Sequence, residues 1–370
     1  MSWPWVYFCS DCSVTMAINL ERNLCDCGGL LDLIRTSSAT TSVNLTPAHS
    51  LSEYRYSDQL PCRIEDLLQV SLGADMVTPL LQEHGQSNTW LKCDHLLPTG
   101  SFKDRGATVL AALALQLGAK RIVIDSSGNA AASMAAHAAR AAIACHVFMP
   151  DSTAQAKVQQ ARAMGAHIEL ISGSRDDAKN AATAAARDRG SFYASHVLNP
   201  HFHHGVKTWS FEVCDQLGRE PGTVVLPVGN GSLLLGVALG FRELLAQGRI
   251  KNLPRIVAVQ SEAFSTLGPP RDATVMNEFR TSVAQGVAIS SPARRRQIID
   301  TLDETQGLAV AVSDLQILQA QKELGTKGFY VEPTGVLAWA GYRSIEHSEG
   351  LAGPVVVALT GSGFKSECST

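Results

Sequence analysis

The sequence predicts an α/β fold in which helices cover both faces of parallel β-sheets. From Thr89 onwards, short apolar segments alternate with longer helical segments, and turns rich in Gly, Ser, Asn or Pro separate them. The apolar segments are continuous rather than alternating, which is typical of strands buried on both faces. A chain of 370 residues also has enough material for a large core divided between two lobes.

Composition excludes several classes of function. The net charge is −3, and no basic stripe with interleaved aromatic residues appears, so we expect no nucleic-acid partner. No apolar run approaches the roughly 18 residues of a membrane span. The first residues, 1–5, lack the basic flank and apolar core of a signal peptide, so we expect a cytoplasmic protein. The scattered cysteines are typical of free thiols in a reducing compartment (Cys62, Cys93, Cys145, Cys214 and Cys368).

Residues 1–34 are predicted to form a small N-terminal unit that looks like a zinc ribbon. Cys9 and Cys12 form one pair, and Cys25 and Cys27 form a second. Four thiolates can hold one tetrahedral zinc ion and leave no open position for substrate, so the ion would be structural. The second pair is tighter than the usual Cys-x2-Cys, and a β-hairpin with free cysteines is the alternative.

Three further segments are expected after this unit. Residues 35–88 are interpreted as a linker or arm that joins the large lobe, with a short helix at 63–72. Residues 89–200 are expected to form the small lobe and residues 201–370 the large lobe. Helices are predicted at 103–118, 130–141, 153–164, 174–188, 203–217, 232–247, 313–324 and 334–346. Strands are predicted at 89–93, 121–125, 143–149, 167–171, 191–194, 223–228, 255–260, 308–312 and 354–359. The basic run 294–296 is interpreted as a solvated face.

The stretch 97–107 carries the strongest candidate for chemistry, Lys103. A turn at residues 98–100 places this lysine in the first turn of a long alanine-rich helix. A helix start disfavours a cation, because the macrodipole places partial positive charge there. A lysine that is buried or near positive charge has a lowered pKa and becomes the nucleophile that forms Schiff bases with carbonyl compounds. An ordinary surface lysine is the alternative.

The loop at residues 229–232 predicts an anion site. It ends a strand and opens a helix, so its backbone N–H groups converge where an anion is favoured. A dinucleotide fingerprint is not met, because the next glycine, Gly236, comes too late, and the Gly-Lys-Ser/Thr of a P-loop is missing. A tight turn without a ligand remains the alternative.

Two other turns contain suitable polar groups. At 126–130, Asn129 could hydrogen-bond a phenolate-like oxygen and the backbone amides could hold a carboxylate, although a helix capped by Ser126 or Ser127 explains the pattern equally well. Near the C-terminus, Thr360 follows an apolar strand, and its hydroxyl could meet a pyridine nitrogen without protonating it. Glu332 is interpreted as a helix start that could also lie near a ligand.

The histidines at 201, 203 and 204 have no cysteine or carboxylate at a spacing that favours a metal. We interpret them as a surface cluster or a loop that contacts substrate.

As a set, these motifs resemble those of threonine synthases among the fold type II pyridoxal phosphate enzymes. The resemblance rests on T-G-S-F-K-D-R-G at 99–106, S-S-G-N-A at 126–130, G-N-G-S at 229–232 and L-T-G-S-G-F-K at 359–365. It covers residues 75–366 and the cysteine unit that some of these enzymes carry. It implies two open twisted sheets covered by helices, as in the tryptophan synthase β-like fold, a small amino acid substrate and a homodimer.

The resemblance also implies a role for each residue. Lys103 would hold pyridoxal phosphate covalently and then move protons, and Phe102 would support the cofactor ring. Asn129 would bond the 3′-oxygen, and Thr360, or less favourably Ser362, would face the pyridine nitrogen. The cofactor phosphate would lie against Gly229, Asn230, Gly231, Ser232 and Leu233, and the substrate carboxylate against Ser127, Gly128 and Ala130.

The implied reaction is that of a lyase that eliminates or replaces a group on an amino acid side chain. Threonine formation from O-phosphohomoserine and water is the leading expectation. Threonine synthases usually read N-P-x-R-x-x-G-x-K at the segment 199–207, where this chain has Phe202 instead of the arginine. A different leaving group or nucleophile is therefore the alternative: a cysteate-synthase-like replacement, an amino acid ammonia-lyase or, least favoured, a scaffold that binds without turnover.

Overall fold

The computed structural model describes residues 4–36, 55–73, 77–85, 88–153, 155–268, 280–347 and 351–365. Much of the predicted arm at 35–88 lies outside the described residues. The strands are β1 Trp5–Cys9, β2 Thr15–Met16, β3 Leu31–Arg35, β4 Leu80–Gln82, β5 Thr89–Lys92, β6 Arg121–Asp125, β7 Ala144–Pro150, β8 His167–Ile171, β9 Ser191–Tyr193, β10 Thr223–Pro227, β11 Arg255–Ser261, β12 Leu308–Val312 and β13 Val355–Ala358.

The helices are α1 Ile64–Val70, α2 Lys103–Gln116, α3 Asn129–Arg140, α4 Gln155–Ala163, α5 Arg175–Ala185, α6 His201–Val206, α7 Thr208–Leu217, α8 Ser232–Ala246, α9 Arg295–Glu304, α10 Asp314–Thr326 and α11 Pro333–Ile345. Among the described residues, none of these helices is both long enough and apolar enough to cross a membrane.

Most predicted elements lie within a few residues of the observed ones, and two differences stand out. The helix predicted at 203–217 is divided at Lys207 into α6 and α7. Helix α9 was not predicted, because the basic run at its start was interpreted as a solvated face. Its buried Ile298 and Leu302 are four residues apart, which is the spacing of the apolar face of an amphipathic helix.

The chain forms two compact units whose boundaries differ from the predicted lobes. One unit contains Met1–Val77 and Lys103–Gly205, and the other contains Thr78–Phe102 and Val206–Thr370. Residues 89–102, predicted in the small lobe, belong to the second unit because β5 pairs with β13. Residues 201–205, predicted in the large lobe, belong to the first unit. The described residues 55–73 of the predicted arm also belong to the first unit.

The first unit contains two sheets. Strands β2, β1 and β3 form a small antiparallel sheet. Cys9 is the last residue of β1, and the other three N-terminal cysteines lie in the loops between the strands. A parallel sheet has the order β8-β7-β6-β9 and supports helices α3, α4 and α5. Its central strand β6 ends at Asp125, so the turn at 126–128 leads directly from a carboxyl strand end into α3.

The second unit contains a six-stranded sheet in the order β12-β11-β10-β13-β5-β4. All neighbours pair in parallel except β4, which is antiparallel to β5. The carboxyl ends of β10, β13 and β5 therefore meet at one edge, where ligands bind in open α/β sheets. The loop at 229–232 follows β10, Thr360 follows β13, and the turn before Lys103 follows β5.

A buried ion pair anchors β5 inside the second unit. Lys92 Nζ lies 2.5 Å from Glu212 Oε2 and donates hydrogen bonds to Gln216 Oε1 and the Thr78 carbonyl, both at 2.8 Å. The Lys92 and Glu212 side chains are fully buried. Such a pair is tolerated only when its remaining donors and acceptors are satisfied, and the amide and carbonyl partners satisfy this condition.

Candidate active site

Lys103 is the first residue of α2, and its surroundings make it a weak base. Burial, assisted by the positive charge of Arg175, lowers the pKa of Lys103 to about 7. Its Nζ lies 5.3 Å from the centre of the Phe202 ring. The predicted nucleophilic lysine therefore has the environment that its chemistry requires, because much of it is unprotonated near neutral pH.

Phe202, where threonine synthases usually have arginine, forms one wall around this lysine. The ring is buried and packs directly on the backbone of Gly106, one turn beyond Lys103 in α2. A Cβ at position 106 would overlap the ring, so this approach requires glycine. The His196 ring lies edge-on at 5.8 Å from Phe202, and burial, with help from the Lys103 charge, keeps the pKa of His196 well below its usual value.

Asp104 fixes the first turn of α2 against α3. The Ser133 hydroxyl donates to Asp104 Oδ1 at 2.5 Å, and His137 Nε2 lies 3.9 Å from the same oxygen. His137 Nδ1 lies 3.0 Å from the Val70 carbonyl, so it carries the proton and donates it there. All these side chains are buried. The helix that carries Lys103 is thus tied to the helix that begins at Asn129.

The turn at 126–130 opens α3 without a serine cap. Gly128 occupies the N-cap position, and no side chain in the described part of the chain caps this end. Ser126 Oγ accepts a hydrogen bond at 3.3 Å from the Gly128 amide, within the turn itself. The alternative of a helix capped by Ser126 or Ser127 is therefore wrong. Ser127 and Asn129 are half-buried, and Ala130 is buried.

The loop at 229–233 has the geometry of an anion cradle. Strand β10 ends at Pro227, and α8 begins at Ser232 with Gly231 as its N-cap. Gly231 has a φ of +84°, which favours glycine, and a Cβ there would come within 2.5 Å of Ile298. No capping side chain from the described residues occupies this helix start, while Ser232 and Leu233 are buried. The observed loop fits a phosphate group.

Thr360 lies beside the residue that precedes the lysine. It is buried, and its carbonyl accepts a hydrogen bond of 3.0 Å from the Phe102 amide. The Ser362 hydroxyl accepts one of 3.3 Å from the Phe364 amide, which ties it to its own loop and favours Thr360 as the partner of a ring nitrogen. Glu332 is the N-cap of α11, and its amide donates to the Gly361 carbonyl at 2.9 Å.

The interpretation of His201, His203 and His204 as a surface cluster is wrong, because all three are buried. The His204 ring lies 5.1 Å from Trp5, and the His201 ring lies 5.8 Å from Tyr7, both edge-on. Burial lowers the pKa of His201 to about 3, so this imidazole is neutral. His201 and His204 thus join α6 to the small antiparallel sheet through edge-to-face aromatic contacts.

The four N-terminal cysteines converge as the spacing predicted. Cys9 Sγ lies 3.6 Å from Cys27 Sγ, and Cys12 Sγ lies 3.5 Å from Cys25 Sγ. All four sulfur atoms lie within 4.8 Å of one another. These cysteines are free rather than joined as disulfides. Tetrahedral zinc with four sulfur ligands needs separations of about 3.8 Å, so the donor set fits that ion.

Comparison with known proteins identifies the kind of enzyme. The family model described as "Pyridoxal-phosphate dependent enzyme" matches residues 74–361. The chain belongs to this family. It is 31% identical to the threonine synthase of Methanocaldococcus jannaschii over 96% of this chain and 92% of that protein. It is 34% identical to the threonine synthase of Mycobacterium leprae over 84% of this chain and 87% of that protein.

A solved structure extends this likeness to the fold. The processed form of threonine deaminase isoform 2 from Solanum lycopersicum superposes with a TM-score of 0.66 at 23% identity, over 81% of this chain and 85% of that one. The protein is thus a pyridoxal-phosphate dependent enzyme with the fold expected from its motifs.

Sequence reasoning missed two residues near the lysine, His196 and Arg175. Neither residue lies in a recognisable motif. Only the fold brings α5, which begins at Arg175, and the segment after β9, which contains His196, towards the lysine.

Proposed function

We propose that this enzyme is a threonine synthase, which converts O-phosphohomoserine and water into threonine and phosphate. The observation that carries the proposal is the match to a threonine synthase over nearly the whole chain, at 31% identity, together with a half-buried Lys103 of lowered pKa at the motif position. The expected cytoplasmic location and homodimer remain predictions.

Each of the turns described above would hold one part of the cofactor. Lys103 Nζ would hold it covalently, and the amides of 229–233 would bind its phosphate at the start of α8. Thr360 would face the pyridine nitrogen, Phe102 would support the ring, and Asn129 would bond the ring oxygen. When bound, pyridoxal phosphate supplies an electron sink for bond breaking at an amino acid, while the protein decides which bond breaks.

The substrate would be oriented by the opening turn of α3. The amides around Ser127, Gly128 and Ala130 lie at the positive end of that helix, where a carboxylate is favoured. Lys103 Nζ, with its pKa of about 7, can both accept and return a proton near neutral pH. Asp104 would keep Nζ in place through its bond to Ser133.

The test is to incubate the purified protein, loaded with pyridoxal phosphate, with O-phosphohomoserine and to measure threonine and phosphate. Equal amounts of both products, and none from a Lys103→Ala variant, would support the proposal. Phe202 in place of the usual arginine leaves a different leaving group or nucleophile as the alternative, and an amino acid ammonia-lyase is the competitor that this test addresses. Ammonia and a keto acid released from threonine or serine, without threonine synthesis, would support that competitor and refute threonine synthase activity.

We also propose that Cys9, Cys12, Cys25 and Cys27 hold one structural zinc ion. The sulfur separations and the absence of disulfides among the described residues support this role. We expect metal analysis of the purified protein to find one zinc ion per chain, and a Cys9→Ser/Cys12→Ser variant to lose it. A matched Cys62→Ser variant should keep the ion. Equal zinc contents in all three proteins would contradict the proposal.

A further inference from the structure

A second group of metal-ligand side chains lies on the parallel sheet of the first unit, apart from the cysteines. His146 on β7 pairs in register with His167 on the neighbouring strand β8. Glu169 lies two residues after His167, and side chains two apart in a strand point to the same face. The register and the strand period therefore bring two imidazoles and one carboxylate together on one face of the sheet.

The donor atoms of these three residues are already close. His146 Nδ1 lies 3.9 Å and His167 Nε2 lies 3.8 Å from Glu169 Oε1. The three donor atoms all lie within 4.8 Å of one another. Tetrahedral zinc with nitrogen and oxygen ligands needs separations of about 3.3 Å, which small side-chain rotations would reach. Hydrogen bonding alone does not explain the cluster, because both distances to the carboxylate exceed hydrogen-bond length.

We propose that His146, His167 and Glu169 form a binding site for a divalent transition-metal ion of the zinc class. Two imidazoles and one carboxylate suit zinc, and an ion with three protein ligands keeps a position for water. The site is open enough for that water, because the side-chain exposures are 28% for His146, 65% for His167 and 40% for Glu169.

Binding would have a structural consequence for β8. This strand is at the edge of its sheet, in the order β8-β7-β6-β9. An ion shared by His146 and the two β8 residues would join the edge strand to its neighbour and fix their register. Arg121, on β6, interacts electrostatically with His146. Its positive charge would lower the affinity of this site for a cation.

The experiment titrates Zn²⁺ into the full-length holoenzyme by calorimetry, after one equivalent of zinc has been added and the excess removed. Wild type is compared with His167→Ala and Glu169→Gln, and with His84→Ala, which removes an exposed histidine of the other unit. We expect wild type and His84→Ala to bind one more zinc ion than His167→Ala, and Glu169→Gln to bind it at least tenfold more weakly.

The proposal would be overturned if wild type and His167→Ala bound the same number of zinc ions with the same affinity. It would also be overturned if His167→Ala bound the additional ion with less than a tenfold loss of affinity. The cysteine cluster does not affect this outcome, since every protein in the comparison contains it. Because the His167 side chain is exposed, we expect His167→Ala to leave the circular dichroism spectrum unchanged. An unchanged spectrum shows that the loss of zinc binding does not come from unfolding.

Discussion

The starts of α2 and α8 are both helix N-termini after a glycine-containing turn, yet they are built for opposite tasks. In the proposed site, the start of α8 would offer backbone amides to an anion, and its shape depends on the backbone conformation of Gly231. The start of α2 holds a lysine where the helix dipole disfavours a cation. Its geometry depends on buried side chains, Asp104 with Ser133 and Phe202 against Gly106.

The difference teaches where each function resides. Anion binding needs only backbone groups in the right conformation, so glycines are enough to specify it. A weakly basic amine needs burial and a fixed position, which only packing from distant parts of the chain provides. Substitutions should therefore act differently at the two helix starts.

The largest expected effect is at the lysine. Lys103→Ala should lower threonine formation by about 10³-fold or more, because both covalent attachment and proton transfer are lost. The measurement is product formation with saturating cofactor. Lys120→Ala, an exposed lysine of the same unit, is the control and should keep full activity. Full activity in Lys103→Ala would end the assignment of the site.

The side-chain network of α2 should matter next. Ser133→Ala removes the donor to the buried Asp104 carboxylate, and hydrogen bonds to charged groups contribute about 1.5–3 kcal/mol. We expect a lower melting temperature and a lower kcat, because the position of Lys103 depends on that of its neighbour Asp104.

The control is Ser210→Ala, which removes a buried hydroxyl that donates to the neutral Val237 carbonyl at 2.7 Å. It should cost only about 0.5–1.5 kcal/mol and leave kcat unchanged. Equal losses of stability and kcat in the two variants would contradict the positioning role of Asp104.

At the other helix start, the backbone should be the sensitive feature. Gly231→Ala forces a side chain into a left-handed conformation and against Ile298, and should weaken cofactor binding by roughly tenfold. Titration of cofactor-free protein with pyridoxal phosphate measures this change.

The matched control is Gly248→Ala, because Gly248 has a φ of +68° just beyond the end of α8 and open space around it. It should carry the same backbone strain without loss of cofactor affinity. If both variants bind the cofactor as wild type does, the loop is not the phosphate cradle.

The sequence predicted where both helices start, but not the distant residues that surround Lys103. The loop at 229–232 was predicted with its glycines and its place after a strand, because these features are local. The start of a helix at Lys103 was predicted as well, and three strands match the structure residue for residue, at 121–125, 167–171 and 308–312. These successes share a short-range cause, the apolar strand period followed by a turn.

The failures share a long-range cause. His201 and His204 are buried against Tyr7 and Trp5, which lie nearly two hundred residues away in the chain. The unit boundary at Phe102 depends on the pairing of β5 with β13. Arg175 lowers the pKa of Lys103, and Lys103 lowers that of His196, only because the fold brings α5 and the segment after β9 towards the lysine.

The smallest effect tests these long-range neighbours through pH. Only the unprotonated amine of Lys103 reacts with the cofactor aldehyde, and its fraction rises as pH increases through the pKa. The rate at which cofactor-free protein takes up pyridoxal phosphate should therefore be half-maximal at about pH 7. Removing a positive charge stabilises the protonated amine, so Arg175→Gln should move the midpoint to higher pH.

Phe202→Leu should move the same midpoint in the opposite direction. The ring face, 5.3 Å from Nζ, stabilises the ammonium form by about 0.5–1 kcal/mol, which corresponds to roughly half a pH unit. Absorbance during reconstitution, recorded across the pH range, measures both shifts. If both variants had the same midpoint as wild type, burial alone would set the basicity of this lysine. The start of α2 would then be specified as locally as the start of α8.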